Sequence, residues 1–281
     1  MHDADSAGPV LPVELERLIF ELAAWQDPEI IFTLILVAKR VCIWIEPELY
    51  HTVVFRKSRS LLMLQSKPAE FLRQHVHHVA ISVELEYDDV VQILSTCTGV
   101  HDLAIWNNAA TRPDLLPLIH KLTNLQRLSA NLFALFGGRE GFTLDQFRIP
   151  PPEELPLASL THLDLFGPLP ERLWSVFRTL RQLTHLALTD LYPRELIPAA
   201  LGTCPVLRLL VVKWSLDAKM PAASKISTDP RFCIVRCTDY EFDWERGARG
   251  RTNVWHAAAT KIRARRKGLR LRLLSFSIDT T

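Results

Sequence analysis

The sequence predicts an α/β solenoid with short parallel strands inside and helices outside, preceded by a small helical module. Three observations support this. A short phrase of alternating apolar residues recurs through the middle of the chain, and the segments between its copies place apolar residues at three- and four-residue spacing. Residues 11–55 are rich in apolar residues but read differently from the repeat. The chain has 281 residues, of which 48% are hydrophobic and 23% charged, as in folded globular proteins.

The recurring phrase is clearest in SLTHLDLF (159–166) and QLTHLALT (182–189). Six copies are recognisable, and their central apolar residues are spaced by 24, 25, 35, 23 and 24 residues. A period in the low to mid twenties with the pattern L-x-x-L-x-L is typical of a leucine-rich repeat. One coil cannot bury its alternate apolar residues alone, so the coils are expected to stack. The central residues are Val79, Leu103, Leu128, Leu163, Leu186 and Leu210.

The segments between the copies predict helices that cover the outside of the stack. In the last of them, Pro198 is expected to kink or shorten the helix. Cys97 and Cys204 lie six residues before a central residue, where other copies have leucine, so both are expected to be buried. Repeats of this length resemble the cysteine-containing leucine-rich repeats that are often joined to F-boxes. The four predicted helices are 88–97, 112–122, 169–180 and 193–204.

The N-terminal segment 11–55 predicts a separate helical module. Its first helix has one wide apolar face and is ended by Asp27-Pro28. Residues 30–45 are apolar on almost every side and predict one helix that ends at Pro47. A helix of this kind must be covered, and a module of about 45 residues is too small to cover it alone. The cover is either the stack of repeats or another protein.

The same segment resembles an F-box, a motif that typically opens L-P-x-E-L-x-x-x-I-F. With the repeats and the segment 229–250, the whole chain is similar to small fungal F-box-like proteins. The positions that carry the resemblance are Leu11, Pro12, Leu15, Ile19, Phe20, Leu22, Asp27, Leu34, Val37, Lys39 and Leu49.

This resemblance implies a substrate receptor of an SCF-type ubiquitin ligase. The module would dock on the Skp-type adaptor of a cullin–RING ligase, and the repeats would hold the protein to be ubiquitinated. The alternative is that the same residues pack on the first repeat. By motif position, the adaptor contacts are Leu11, Pro12, Leu15, Ile19, Phe20, Leu34 and Val37.

The concave face of the stack is the expected binding surface for the substrate, because solenoid proteins usually bind partners there. Trp106 and Phe166 are the strongest individual candidates, since exposed aromatic residues are enriched at interface hot spots. The alternative is that this face is merely solvated. The full set of expected substrate contacts is His78, Asp102, Trp106, Arg127, Asn131, His162, Asp164, Phe166, His185 and Lys213.

The expected organisation has four parts. A disordered N-terminus at 1–10 precedes the module at 11–55, the repeats occupy 56–240 with a protruding insertion at 131–156, and a loop, basic helix and tail fill 241–281. RFCIVRC (231–237) predicts a seventh strand in which Ile234 matches Leu210. Seven of the 33 Lys and Arg residues lie in the last 21 positions. A basic helix that caps the stack is favoured there over a nucleic-acid-binding segment.

No sequence motif of catalysis is present: the chain has no G-x-S-x-G, P-loop, H-E-x-x-H or dinucleotide fingerprint. We therefore expect a protein that is not an enzyme and needs no cofactor or metal. His75, His77 and His78 are interpreted as a polar cluster beside a strand. His162 and His185 are expected to be neighbours about 5 Å apart on adjacent strands, without a third metal ligand.

The chain is expected to work in the cytoplasm or nucleus without membrane contact. It has no secretory signal, its cysteine count is odd, and its longest apolar run is far shorter than the roughly 20 residues that cross a bilayer. Three functions remain open. The first is the ubiquitin-ligase receptor, the second is an interaction scaffold without a ubiquitin role, and the third is nucleic-acid binding through the basic tail.

Overall fold

The computed structural model describes residues 11–107, 110–138, 149, 151, 155, 157–189, 192–215 and 220–266. They form an α/β fold with one sheet of eight parallel strands, and each strand pairs with the next one along the chain. The strands are β1 (Thr52–Phe55), β2 (His78–Ile81), β3 (Asp102–Ile105), β4 (Arg127–Ala130), β5 (His162–Leu165), β6 (His185–Thr189), β7 (Leu209–Trp214) and β8 (Phe232–Arg236).

Eleven α-helices are described in these ranges, and several short 3-10 helices connect them. The α-helices are α1 (Val13–Gln26), α2 (Ile31–Leu34), α3 (Lys39–His51), α4 (Leu62–Gln65), α5 (Ala69–His75), α6 (Tyr87–Thr96), α7 (Leu116–His120), α8 (Leu132–Leu135), α9 (Leu196–Thr203), α10 (Tyr240–Ala248) and α11 (Val254–Arg266). The 3-10 helices are Pro28–Ile30, Ser58–Leu61, Pro113–Leu115, Glu171–Arg178 and Ala223–Lys225.

The six central residues of the repeated phrase lie side by side in β2 to β7. Val79 pairs with Leu103, Leu103 pairs with Leu128, and the ladder continues in the same register to Leu210. All six are at most 2% exposed. Burial of one such side chain contributes about 1.5–3 kcal/mol, so this row is a major part of the core. The predicted stacking of the six copies in adjacent strands is confirmed.

Two strands differ from the prediction. Residues 52–55, assigned to the helical module, form β1, because Val53 and Phe55 continue the buried rows of β2. RFCIVRC forms β8 as predicted, but Leu210 pairs with Phe232 rather than with Ile234. A shift of two residues leaves the same side chains pointing inward, so the burial pattern alone could not distinguish the two registers.

The helices differ from the prediction mainly near prolines. The single helix expected at 30–45 is divided into α2 and α3 by a turn at 35–38, and α3 continues through Pro47 instead of ending there. In place of the α-helix predicted at 169–180, the structure has a 3-10 helix at Glu171–Arg178. Pro198 lies in the first turn of α9, where a missing amide donor costs little, so the helix is shortened as expected.

The connecting helices α5 to α9 pack on one face of the sheet, which we call the first face. Its core contains the central residues together with Cys97 and Cys204, both 1% exposed, which confirms that these cysteines are buried. Of the predicted insertion at 131–156, residues 131–138 contain α8, whose Leu132 and Leu135 belong to this core. The remainder of the insertion lies largely outside the described residues.

The C-terminal helices α10 and α11 lie on the opposite face, which we call the second face. Val254, Ala258 and Ile262 of α11 pack against Ala187 and Val211 of the strands. The predicted basic helix thus packs on the second face of the last two strands, and its role as a cap of the stack stays a prediction. The physical reason for this packing is the small size of the residues along this face: helices can approach the sheet closely. The small residues are Ala80, Ala104, Ser129 and Ala187.

The helices α1, α2 and α3 form a small unit with its own core of Ala24, Ile31, Val41 and Ile45. It joins the rest of the chain through α3, which contacts α5 and leads directly into β1. Across the described residues, we find no helix with the length and apolar character needed to span a bilayer.

Candidate functional site

An apolar surface covers the exterior of α1, α2 and α3. It is formed by large side chains that are 45–82% exposed, and eleven of the fifteen exposed large hydrophobic residues among those described belong to it. We call this set the N-terminal apolar surface. Its members are Leu11, Val13, Leu15, Leu18, Ile19, Leu22, Trp25, Phe32, Leu36, Val37 and Ile43.

The seven predicted adaptor contacts divide into two groups in this unit. Leu11, Pro12, Leu15, Ile19 and Val37 are exposed. Phe20 and Leu34 are half-buried and pack against the small core of the helices. Leu11, Leu15, Ile19 and Val37 leave between 45% and 58% of their surface exposed. The alternative, that the same residues pack on the first repeat, stays a prediction.

Ion pairs fix the polar side of this unit. The Arg40 guanidinium donates to both carboxylate oxygens of Glu16, at 2.7 and 3.1 Å, and so ties α3 to α1. The hydrogen bond to Glu16 raises the pKa of Arg40. Arg17 and Glu21 form a further pair one turn apart on α1. The charges therefore hold the helices together from one side and leave the apolar side uncovered.

The second face brings together many of the predicted substrate contacts, but the C-terminal helices cover part of it. Asp102, Asn131 and Lys213 are at most 6% exposed, so they offer almost no surface to a bound protein. This corrects the expectation of an open groove. His78, Trp106, Arg127, His162, Asp164, Phe166 and His185 are partly exposed, and their binding of a substrate stays a prediction.

Asp102 links β3 to the C-terminal helices. One carboxylate oxygen accepts a hydrogen bond from Trp244 Nε1 at 3.0 Å, and the other lies 3.5 Å from His78 Nδ1 and 3.9 Å from Arg127. Trp244 also meets Trp106 edge-on, with ring centroids 5.8 Å apart. Asp102 therefore positions α10 and is not a freely available recognition group.

His162 and His185 are neighbours on adjacent strands, as predicted. Their rings stack at a centroid distance of 4.1 Å, and both meet the edge of Trp255 of α11. Burial, together with neighbouring positive charge, lowers the pKa of His162 to about 3 and that of His185 to about 4. Both rings are therefore neutral at physiological pH and form part of the support for α11.

A second histidine cluster lies at the start of β1, β2 and β3. His77 stacks on His101 at 4.7 Å, and His51 lies 5.0 Å from His78 and 5.2 Å from His77. Burial lowers the pKa of His51 to about 4. The sequence analysis missed His51 and His101, because they meet the others only through strand pairing. No group of three or more His, Cys, Asp or Glu residues in the described ranges is arranged to hold a metal ion.

Lys213 and Asp164 form a buried ion pair on the second face. Lys213 Nζ donates to Asp164 Oδ2 at 2.6 Å and lies 4.4 Å from the centre of the Tyr240 ring. Burial alone would lower the pKa of Lys213, but the carboxylate of Asp164 raises it above its usual value. The amine is therefore protonated and neutralised, which makes it unsuitable as a nucleophile or base.

An open pocket of about 430 Å³ lies where the strands of the second face end and α10 begins. Trp106 and Phe166 contribute two aromatic walls, and Lys213 forms part of the floor. The sequence analysis named these three residues, but it missed the part of the lining that α10 and its preceding turn supply. Among the described residues, the lining is Trp106, Phe166, Thr189, Lys213, Thr238, Asp239, Tyr240 and Glu241.

The basic C-terminal segment is partly used inside the structure. Lys261 Nζ donates to the carbonyl of Ile234 at 2.9 Å, and Arg265 donates to the carbonyl of Phe232 at 2.7 Å. These bonds hold α11 on β8. Two of the seven basic residues are thereby engaged with the chain itself, and the tail after residue 266 lies outside the described residues.

No protein-family model matches the chain, and no curated protein matches it. The molecule is thus defined by its own features: an α/β fold with one eight-stranded parallel sheet, an N-terminal apolar surface, and a second face with an aromatic pocket.

Proposed function

We propose that this chain is a non-catalytic substrate receptor of an SCF-type ubiquitin ligase in the cytoplasm or nucleus. In this proposal, α1 to α3 are an F-box that docks on a Skp-type adaptor, and the sheet is a leucine-rich-repeat solenoid that holds the target protein. The cullin–RING ligase then transfers ubiquitin to that target. The chain itself contributes recognition and no chemical step.

The N-terminal apolar surface carries this proposal. Eleven large apolar side chains are exposed on these three helices and the turns beside them, and exposed apolar patches mark binding sites for other proteins. Ile19 is 54% exposed and Val37 is 58% exposed, although the unit has a formed core directly behind them. The resemblance to an F-box gives the partner: the exposed positions include five of the seven motif positions assigned to the adaptor.

The surface also predicts how strongly a disruptive change should act. Burial of a whole Leu or Ile side chain contributes about 1.5–3 kcal/mol, and Leu11 and Ile19 each have about half of their surface left to bury. Loss of both contributions removes about 2 kcal/mol. Two carboxylates placed in the interface add about 2 kcal/mol or more. The combined change Leu11→Asp with Ile19→Asp should therefore weaken adaptor binding by about 1,000-fold.

The experiment is a titration of the purified chain with purified Skp-type adaptor by calorimetry. The matched control is Leu62→Asp, because Leu62 is 63% exposed but lies in α4, outside the N-terminal apolar surface. We expect the double variant to lose binding and the control to bind as the original chain does. Circular dichroism checks that both variants are folded.

Three outcomes would remove the proposal or part of it. If the original chain does not bind the adaptor, the ligase role is wrong and an interaction scaffold without a ubiquitin role is the better description. If the double variant binds as strongly as the control, the contact surface is wrong. If salt-sensitive binding to nucleic acid is found instead and is lost on removal of residues 261–281, the basic tail is the functional part.

A further inference from the structure

The pocket at the end of the second face has the features of a binding site for one cationic side chain. Trp106 and Phe166 directly follow β3 and β5, are both partly exposed, and both line the pocket. Tyr240 of α10 adds a third aromatic ring to the lining. At about 430 Å³ the pocket lies within the size range of sites that bind small molecules or single anchoring side chains.

The charges around the pocket favour a positively charged ligand. The one base in the lining, Lys213, is already neutralised by Asp164. The acidic side chains of the lining are Asp239 and Glu241. Asp239 accepts the backbone N–H of Phe242 at 2.9 Å and thereby offsets the partial positive charge at the start of α10.

Glu241 supplies the remaining negative charge at the mouth of the pocket. Its nearest base, Arg56, lies 3.5 Å away but is closer to Glu245, at 3.1 Å. Arg56 hydrogen-bonds Glu245, which Arg249 also contacts at 3.0 Å, whereas Arg56 meets Glu241 only as an ion pair at 3.5 Å. The Glu241 carboxylate therefore keeps acceptor capacity for a ligand, and aromatic rings beside carboxylates are the surroundings that a guanidinium group prefers.

We propose that this pocket binds an arginine side chain of the recruited protein. The inference rests on the proposed function for the statement that the arginine belongs to a recruited protein, and it adds the chemical class of the recognised residue. The aliphatic stem of the arginine lies along the apolar lining, its guanidinium stacks on Trp106 or Phe166, and its charge is balanced by Glu241. Arginine fits better than lysine because a planar cation stacks on a ring over its whole face.

The test uses the purified full chain, without adaptor, and capped pentapeptides Gly-Ser-X-Ser-Gly in which X is arginine, lysine, leucine or glutamate. Binding is followed in ¹H–¹⁵N spectra by the indole N–H signal of Trp106, which is assigned by its loss in Trp106→Phe. We expect the arginine peptide to bind with a dissociation constant on the order of 1 mM, as is reasonable for a single anchoring residue. The lysine peptide should bind several-fold more weakly, and the leucine and glutamate peptides should leave the signal in place.

Two variants separate the aromatic and the ionic contribution. Phe166→Leu keeps an apolar side chain but removes an aromatic ring, and should weaken the binding of the arginine peptide about fivefold. Glu241→Gln should weaken the binding of the arginine peptide about threefold and make that binding less dependent on salt. Glu70→Gln is the matched control: Glu70 is an exposed glutamate that also forms an ion pair, with Arg73, but it does not line the pocket, so the affinity should stay unchanged.

The outcomes distinguish this proposal from the ligase proposal. Equal shifts with the leucine peptide, preferential binding of the glutamate peptide, or no shift with any peptide would overturn the arginine site. Adaptor binding should be unaffected by Glu241→Gln, and the arginine peptide should bind the Leu11→Asp, Ile19→Asp chain normally. If the adaptor fails to bind while the arginine peptide binds as expected, only the ligase role is lost.

Discussion

Replacement of Ala258 with aspartate should release α11 from the second face while the sheet stays folded. Val254, Ala258 and Ile262 are at most 5% exposed, and their burial contributes about 5 kcal/mol. With this free energy, α11 is detached from the second face, a state we call the open form, in about one molecule in 4,000. A buried carboxylate without a partner costs about 4 kcal/mol, so the open form should rise to about one molecule in six.

Alkylation of Cys233 reports this opening directly. Cys233 is fully buried beneath α11, and burial raises the pKa of its thiol to about 11, so it should react very slowly in the original chain. In Ala258→Asp, its rate of reaction with iodoacetamide should increase about 600-fold, in proportion to the open fraction. Peptide mass spectrometry assigns the modified cysteine. Cys97 and Cys204 lie in the core of the first face and should remain protected.

The matched control is Thr260→Asp, since Thr260 lies on the exposed side of the same helix. This variant should protect Cys233 as the original chain does. Slow alkylation of Cys233 in Ala258→Asp would refute the assignment of α11 to the second face. An equal increase in the rate of alkylation of Cys97 and Cys204 would also refute this assignment, because α11 and the sheet would then open as a single unit.

The remaining predictions concern the stability of the fold, measured by urea denaturation. Lys213→Met leaves a carboxylate without its partner and should lower the free energy of unfolding by about 3 kcal/mol; an unchanged value would contradict the buried pair. The pKa values of His162 and His185 are lowered to about 3 and 4 in the folded chain. As the pH falls, these histidines therefore bind protons in the unfolded chain before they do so in the folded chain. The free energy of unfolding should therefore have its full value above about pH 6.5 and decrease as the pH falls toward 4. Replacement of both His162 and His185 with glutamine should make this decrease smaller. Gly99→Ala directs a Cβ into a backbone carbonyl oxygen near the end of α5 and should cost about 2 kcal/mol or more, whereas Gly202→Ala, which meets open space within α9, should cost nothing.

The strands of the sheet could be predicted because their signal is local. Each copy of the phrase alternates apolar and other residues over a few positions, and the regular spacing then requires the copies to pair in order. The prediction failed for the register of β8, because Phe232 and Ile234 are both apolar and lie on the same side of the strand. It failed for β1 because residues 52–55 were assigned to the helical module, although Val53 lies 26 residues before Val79, close to the spacing of the other copies.

The position of α10 and α11 could not be predicted, because it depends on packing between distant parts of the chain. The row of alanine and serine on the second face is equally compatible with a bound partner and with a helix of the same chain. The signal that was available is aromatic: Trp244 and Trp255 stand in polar helices and insert beside Asp102 and the His162–His185 pair. For the same reason the sequence identified only the strand half of the pocket.

The most direct test of the central claim is hydrogen–deuterium exchange of the purified chain, alone and saturated with Skp-type adaptor. The proposal predicts slower exchange across α1, α2 and α3, and unchanged exchange in β4 to β7 and α11. Protection confined to the sheet or to α11, or no protection in the presence of the adaptor, would contradict the assignment of the N-terminal apolar surface as its docking site.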